Sequence, residues 1–427
     1  MAVNRKKVGA LLCVLAVTAA VAGTAAASHK GTPGVTKAQI TIGGTFPLTG
    51  PASLYATIPA AEQAYYAYVN AHGGVNGRKI KDIVIDDQYD PGQTPTDVQK
   101  LVEQDHVFAI VGSLGTAPGL ATWGYLNQHK IPQVLLATGD AYWGNCVHRT
   151  CDKTNIKKSW TMGWQPDYPG EARLYAKYIL QQNPNAKIAV LYQDDAYGKN
   201  YLAGLRTGLG SHTSQIIATQ PYTVTDTAQV VGAHVGKLAQ SGADTFVIFA
   251  TPAAAIAALA TETAIHWSPL TILNNVSANR VFMLLAAKNG ASLNGVVSTG
   301  YVESQTAQPN LSGMKLAKKI IDATKNTSLE TSFSEGDNNL VYGLGVAWTF
   351  VDALKHAGKN PTRASLMKAL RSLNESKKNA NPFVYPGMSV ETSKTRTFPM
   401  EQLIFEKWAG GATGDWKTFG NVLTSGH

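Results

Sequence analysis

The sequence predicts an α/β protein built from two doubly wound, parallel-sheet lobes. Two observations carry that prediction. Short β-rich runs alternate with amphipathic helical segments along most of the chain, and repeated strand–helix–strand units imply a parallel sheet with helices on both faces. The alternation also breaks once, around Ser159 to Gly170, and then restarts, which divides a chain of 427 residues into two bodies of ordinary domain size.

The first series opens with "QITIGG" (Gln39 to Gly44) as a strand. The helix after it, over Pro59 to Ala71, sets Ala61, Ala64, Tyr65, Tyr68 and Val69 on one face, the spacing of a helix lying on a sheet. Gly73-Gly74 stops it. Strand "IVID" (Ile83 to Asp86) follows, and Thr94-Pro95 reads as an N-cap with proline in the first turn, opening a helix to Asp105. Strand "VFAIV", a helix from Pro118 to His129 and strand "QVLL" complete this half. The second series has strands "KIAVLY", "SQIIATQ", "TFVIFA" and "LTIL", with helices near Tyr197–Gly208, Thr227–Ser241, Pro252–Glu262 and Arg280–Asn289 between them. Then come "GVVSTGY", a helix over Asn310–Thr324, a long apolar helix from Asn338 to Ala357 and a helix capped by Thr362. "QLIFEKW" reads as a late strand.

The first 27 residues read as an export leader. Arg5, Lys6 and Lys7 precede the uncharged run Val8 to Val21, and Ala25-Ala26-Ala27 offers a cleavage site. About 14 apolar residues fall short of the roughly 20 that a membrane span needs. Removing the leader leaves 34 Lys and Arg against 28 Asp and Glu, scattered rather than gathered in the stripe a nucleic-acid binder would carry. No nucleic-acid partner is expected. Cys146 and Cys151 would form a local disulfide in an oxidising compartment. A metal site with His148 is the sharper alternative, but no further ligands stand at finger-like spacing.

Ligands of open parallel sheets bind beyond the carboxyl ends of strands. The stretch "IVGSLGTAPG" (Ile110 to Gly119) is such a place. Its glycines, Gly115 among them, allow a close backbone approach beside Leu114, Thr116 offers a hydroxyl, and the helix N-terminus favours an anion. Thr116 as a simple helix cap is the equal alternative. No G-x-G-x-x-G follows the first strand, and neither a phosphate-binding G-x-x-x-x-G-K-[ST] nor a G-x-S-x-G elbow occurs. The histidines show no metal spacing, so neither catalysis nor a cofactor nor a metal is expected.

The stretches "ITIGGTFPLTGPASLYAT", "AYVNAHGGVNGRKI", "DDQYDPGQT", "FAIVGSLGT" and "VLYQDDAYGKNYLAGL" are similar to the branched-chain amino-acid-binding family, the extracytoplasmic solute receptors of ABC importers. The similarity runs in order through nearly the whole mature chain and is strongest in its N-terminal half. It implies a type I periplasmic-binding fold with a three-crossover hinge: lobe 1 over 28–160, lobe 2 over 161–297, lobe 1 resumed over 298–383, and a return to lobe 2 over 384–427. It also implies a monomer outside the cytoplasm that binds a small carboxylate or amino acid and hands it to ABC permease subunits, with no enzymatic activity. The same fold also serves as a ligand-sensing domain without transport.

By that resemblance, Thr116 and the loop Ala137 to Ala141 hold the ligand carboxylate. Tyr55 lines the cleft after the Thr49-Gly50-Pro51 turn, Tyr197 closes from lobe 2, and Thr251 and Asn275 complete the pocket. Two departures stand out. The loop after "TIL" reads "NNVSAN" and lacks the carboxylate that amino-acid binders of the family place there. The loop "ATGDAYW" (Ala137, Thr138, Gly139, Asp140, Ala141, Tyr142, Trp143) is two residues longer than the usual form and resembles a subgroup that includes binders of aromatic and other carboxylates. Asp140 replaces that subgroup's alanine. Facing a ligand carboxylate at about 4 Å, it would repel it by roughly 4 kcal/mol at an effective dielectric near 20. Two readings stay open: Asp140 turns away into an Asx-turn, or it meets a ligand ammonium. The competing ligand is an amine-free acid stacked among Tyr55, Tyr142, Trp143 and Tyr197.

Overall fold

Apolar strands set the frame. The first sheet is made by β1 (Gln39–Phe46), β2 (Lys79–Asp86), β3 (Ile110–Val111), β4 (Gln133–Leu136) and β5 (Thr161–Gly163), in the order β2-β1-β3-β4-β5. Every pairing in it is parallel. All four residues of β4 are buried, as expected of a strand covered by helices on both faces. The computed structural model describes residues 31–146, 157–376 and 379–425; the expected leader and Cys151, the expected partner of Cys146, lie outside them.

The second sheet contains β6 (Ile188–Gln193), β7 (Ile216–Tyr222), β8 (Thr245–Phe249), β9 (Leu270–Leu273) and β10 (Val297–Gly300). A two-stranded ribbon pairs β11 (Asn374–Glu375) with β12 (Val390–Glu391). The tail then supplies β13 (Gln402–Ala409) and β14 (Asp415–Thr424), giving the order β14-β13-β10-β9-β8-β6-β7. β13 runs antiparallel to β10, and β14 antiparallel to β13. The sheet is therefore mixed at one edge, because a short turn at Gly411–Thr413 joins β13 to β14 where a parallel neighbour would need a crossover.

The chain passes between the sheets three times: after β5, after β10, and before β13. After the second passage, helices Ser312–Thr324, Thr327–Ser334 and Asn338–His356 return to the first sheet and pack on helix Thr57–Ala71. The middle one, capped by Asn326 through the Ser328 and Leu329 N–H groups, has no counterpart among the helices expected from the sequence. Helix Asn338–His356 is buried almost all round, which explains its apolar sequence without recourse to a membrane. Among the described residues no helix is long and apolar enough to cross one. Asp337 caps that helix through the Asn339 N–H, whereas Thr94 takes the first helical position and gives its hydroxyl to the Asp90 carbonyl instead of capping.

Candidate functional site

The loops that leave the strands' carboxyl ends, together with the three passages, enclose a cavity of about 750 Å³ including its mouth. This is the place expected of a small-molecule site.

On the first sheet's side, a bridge between Leu114 and Ala137 extends the β3–β4 pairing to the cavity wall. The helix Thr116–Gln128 starts there, with Gly115 at φ +115° just ahead of it. Pro118 lacks an N–H, and the first turn's remaining N–H groups have no helical carbonyl to bond. Thr116 is not a cap: its hydroxyl lies 2.7 Å from that of Thr138, beside the Tyr168 phenol. Leu135, fully buried, has φ +56° at a register shift in β4, and that irregular turn of the backbone re-aims the loop that follows.

Tyr55, Leu114, Gly115, Thr116, Ala137, Tyr197, Thr251 and Asn275 all line the cavity. Thr138, Gly139, Asp140, Ala141, Tyr142 and Trp143 do not. Thr138 stands one layer behind, joined to Thr116 and accepting from the Asp140 N–H. Gly139 lies against the first passage, where an added Cβ would collide with the Pro166 carbonyl and sit 2.7 Å from the Tyr168 ring. Trp143 and Tyr142 stack on Trp123, with Lys158 4.7 Å above the Trp123 ring.

Asp140 is fully buried outside the cavity. One oxygen accepts from the Tyr142 N–H at 2.8 Å, an Asx-turn, and the other from the Asn200 amide at 3.0 Å. Burial pushes its carboxyl up to about 7, against the pull of the Tyr142 hydrogen bond.

From the second sheet's side, the Tyr197 hydroxyl accepts from Asn274 at 2.7 Å. Thr251 is held by the Tyr222 hydroxyl and Gln193. Asn275 gives its N–H to Glu171 at 2.8 Å and its side-chain amide to the Thr299 carbonyl. Glu171 also accepts from Tyr175 and Tyr201, yet burial still raises its carboxyl to about 7.

Several lining residues escaped the sequence reading. Tyr89, held at φ +62° by the Asp87 carboxylate, sits in the quoted "DDQYDPGQT". Tyr301, Asn338, Tyr342 and Glu406 come from the returning segments. Six tyrosines line the cavity, counting Tyr168, and each offers an apolar ring with a polar tip. Among the described residues no Lys, Arg or His lines it, and Glu406 is the one carboxylate that does. Hydroxyls, amides and a helix N-terminus would therefore hold an anion there. No cluster of three or more metal-ligating side chains occurs among the described residues.

Comparison with known proteins agrees with this fold. A "Leu/Ile/Val-binding protein homolog 3" from Brucella melitensis is 26% identical over 212 residues, 48% of this chain and 53% of that protein, so the match spans about half of the relative's length. A branched-chain amino acid ABC transporter protein from Thermus thermophilus, solved with bound valine, superposes with TM-score 0.77 at 17% identity, covering 91% of this chain and 97% of that one. A fatty acid ABC transporter substrate-binding protein from Thermomonospora curvata gives TM-score 0.72 at 20% identity, over 92% and 95%. These are binding proteins rather than enzymes. With a family model matching residues 39–401, the chain belongs to the periplasmic binding protein family.

Proposed function

We propose that this chain is an exported receptor that binds a small carboxylate-bearing solute in the cleft between its lobes and delivers it to an ABC permease. One observation carries the reading: the cavity joins an open helix N-terminus, hydroxyls and amides on one side to tyrosine walls on both, without a cation. A carboxylate held by two or three such donors gains roughly 1.5–3 kcal/mol from each charge-assisted bond. Closure then buries the rest of the solute against Tyr55, Tyr197 and Tyr301.

A second reading, an amine-free aromatic or aliphatic acid, is supported by the tyrosine-rich wall and by the missing acid in the loop Asn274–Asn279. Native mass spectrometry of the purified chain, followed by calorimetry with the solute it releases, tests the proposal. A carboxylic acid recovered unchanged is the expected result. A chemically altered product or a nucleotide would refute it.

A further inference from the structure

We propose that Glu406, on β13 just after the third passage, is the subsite for a ligand's protonated amine, so that the solute is a zwitterion held at both ends. The proposal rests on the cavity being a carboxylate site, as set out above, and adds the group that faces the other end.

Glu406 lies on β13 directly opposite Ser298 of β10, and Gly300 lies two residues farther along β10. Directly opposed residues share a face of the sheet, as do positions i and i+2 of one strand. Glu406, Ser298 and Gly300 therefore face the same way. Gly300 keeps that face open, since a Cβ there would come within 2.6 Å of Glu406 Oε2. Both Gly300 and Glu406 line the cavity.

The carboxylate is 4% exposed. Among the described residues no hydrogen bond or cation reaches its oxygens. Its charged neighbours are acids, Glu171 and Asp415, and burial with their repulsion raises its carboxyl well above the usual range. Those neighbours are already engaged: Glu171 takes three hydrogen bonds, and Asp415 lies 3.6 Å from Arg280. The side chains that replace an acid in the loop after β9 are engaged too. Asn274 serves Tyr197 and the Ala250 N–H, and Asn275 serves the Thr299 carbonyl.

An unpartnered buried carboxylate is costly, and such groups concentrate at functional sites. A solute bringing only negative charge would aggravate it. A solute with an ammonium group relieves it, and a hydrogen-bonded ion pair inside the cleft is the arrangement that buried charges require. The anion would rest on the first-sheet loop at Thr116 and the cation on the second sheet at Glu406. The ligand would then bridge the two lobes.

The test uses the mature full chain and Glu406→Gln, a near-isosteric change. The probes are three matched pairs: L-leucine with 4-methylpentanoate, L-phenylalanine with 3-phenylpropanoate, and 4-aminobutanoate with butanoate. Calorimetry should show at least one amine-bearing member binding about tenfold or more tighter than its partner. Glu406→Gln should abolish that preference by weakening the amine member about tenfold, while the amine-free partner changes less than about threefold. Gly300→Val, which fills the space before the carboxylate and leaves its charge, should weaken the amine member likewise. An unchanged or raised melting temperature for Glu406→Gln establishes that the fold is intact. Amine-free acids binding as tightly as their partners, or an amine preference that survives Glu406→Gln, overturns the assignment and leaves the carboxylate reading standing. Binding of no member of any pair counts against both.

Discussion

The Asp140 carboxylate and the Asn200 amide join the two lobes: Asn200 donates to Asp140 Oδ2 at 3.0 Å, and its carbonyl oxygen accepts from the Ala141 N–H at 3.2 Å. Both bonds cross between the loop after β4 and helix Ala196–Leu209. Tyr55 donating to the Val276 carbonyl, Asn279 to Asp337, and the Tyr168 N–H to the Gly139 carbonyl also cross near the cavity. A ligand-independent clasp of this kind lowers the free energy of the closed state, whatever the ligand.

Asn200→Ala should therefore weaken every ligand by a similar factor, about 5- to 30-fold if the two hydrogen bonds are worth about 1–2 kcal/mol together in the closed state. Calorimetry with an amine-bearing and an amine-free ligand checks it, with small-angle scattering to read the open fraction. A loss confined to amines would show Asp140 itself meeting a ligand ammonium.

Thr116→Val keeps the side chain's shape and removes its hydroxyl. Thr138 retains the Asp140 N–H as a partner, so the loop should hold. Affinity for a carboxylate ligand should fall about 10- to 100-fold, the value of one charge-assisted bond, and the melting temperature should move little. Unchanged affinity would place the carboxylate elsewhere in the cleft.

The fold was readable because two signals are local: fully buried strands such as β4 and β8 are apolar after a single polar first residue, Gln133 or Thr245, and the helices after them keep a helical period. The cavity wall was readable only where a residue follows its own strand, as Thr116, Thr251 and Asn275 do. Glu406 carried a faint signal, an acid between Ile404 and Trp408 on one face of a strand. Its position in the cavity, however, depends on an antiparallel pairing with β10, more than 100 residues away in sequence, and no local pattern encodes that. The direction of the Asp140 side chain was equally hidden, because an Asx-turn and a ligand contact use the same residue in the same loop.

Stability should fall as pH rises from about 5 to about 8. Burial lifts Asp82, Glu171 and Glu262 to about 7 and Glu375 to about 8, while in the unfolded chain these groups titrate near 4. Between those limits the native state binds more protons than the unfolded state. Each such carboxyl then lowers the unfolding free energy by about 1.4 kcal/mol per pH unit. The melting temperature of the ligand-free protein should peak near pH 5 and decline toward pH 8. A flat profile would mean these carboxyls stay ionised inside the fold.

Two glycines near the site should respond to alanine in opposite directions. At Gly139 the new methyl would meet the Pro166 carbonyl and the Tyr168 ring, pushing the first passage away from the ligand loop and straining the bond between the Tyr168 N–H and the Gly139 carbonyl. The cost is that of overpacking, about 1–3 kcal/mol, and because Tyr168 lines the cavity, affinity should fall with stability. Gly124 sits inside helix Thr116–Gln128 with nothing within 4 Å of an added Cβ. There alanine should stabilise by up to about 1 kcal/mol through helix propensity, with affinity unchanged. Urea unfolding and calorimetry on both variants check this. A Gly139→Ala protein as stable and as tight-binding as the parent would show that the passage does not position the loop.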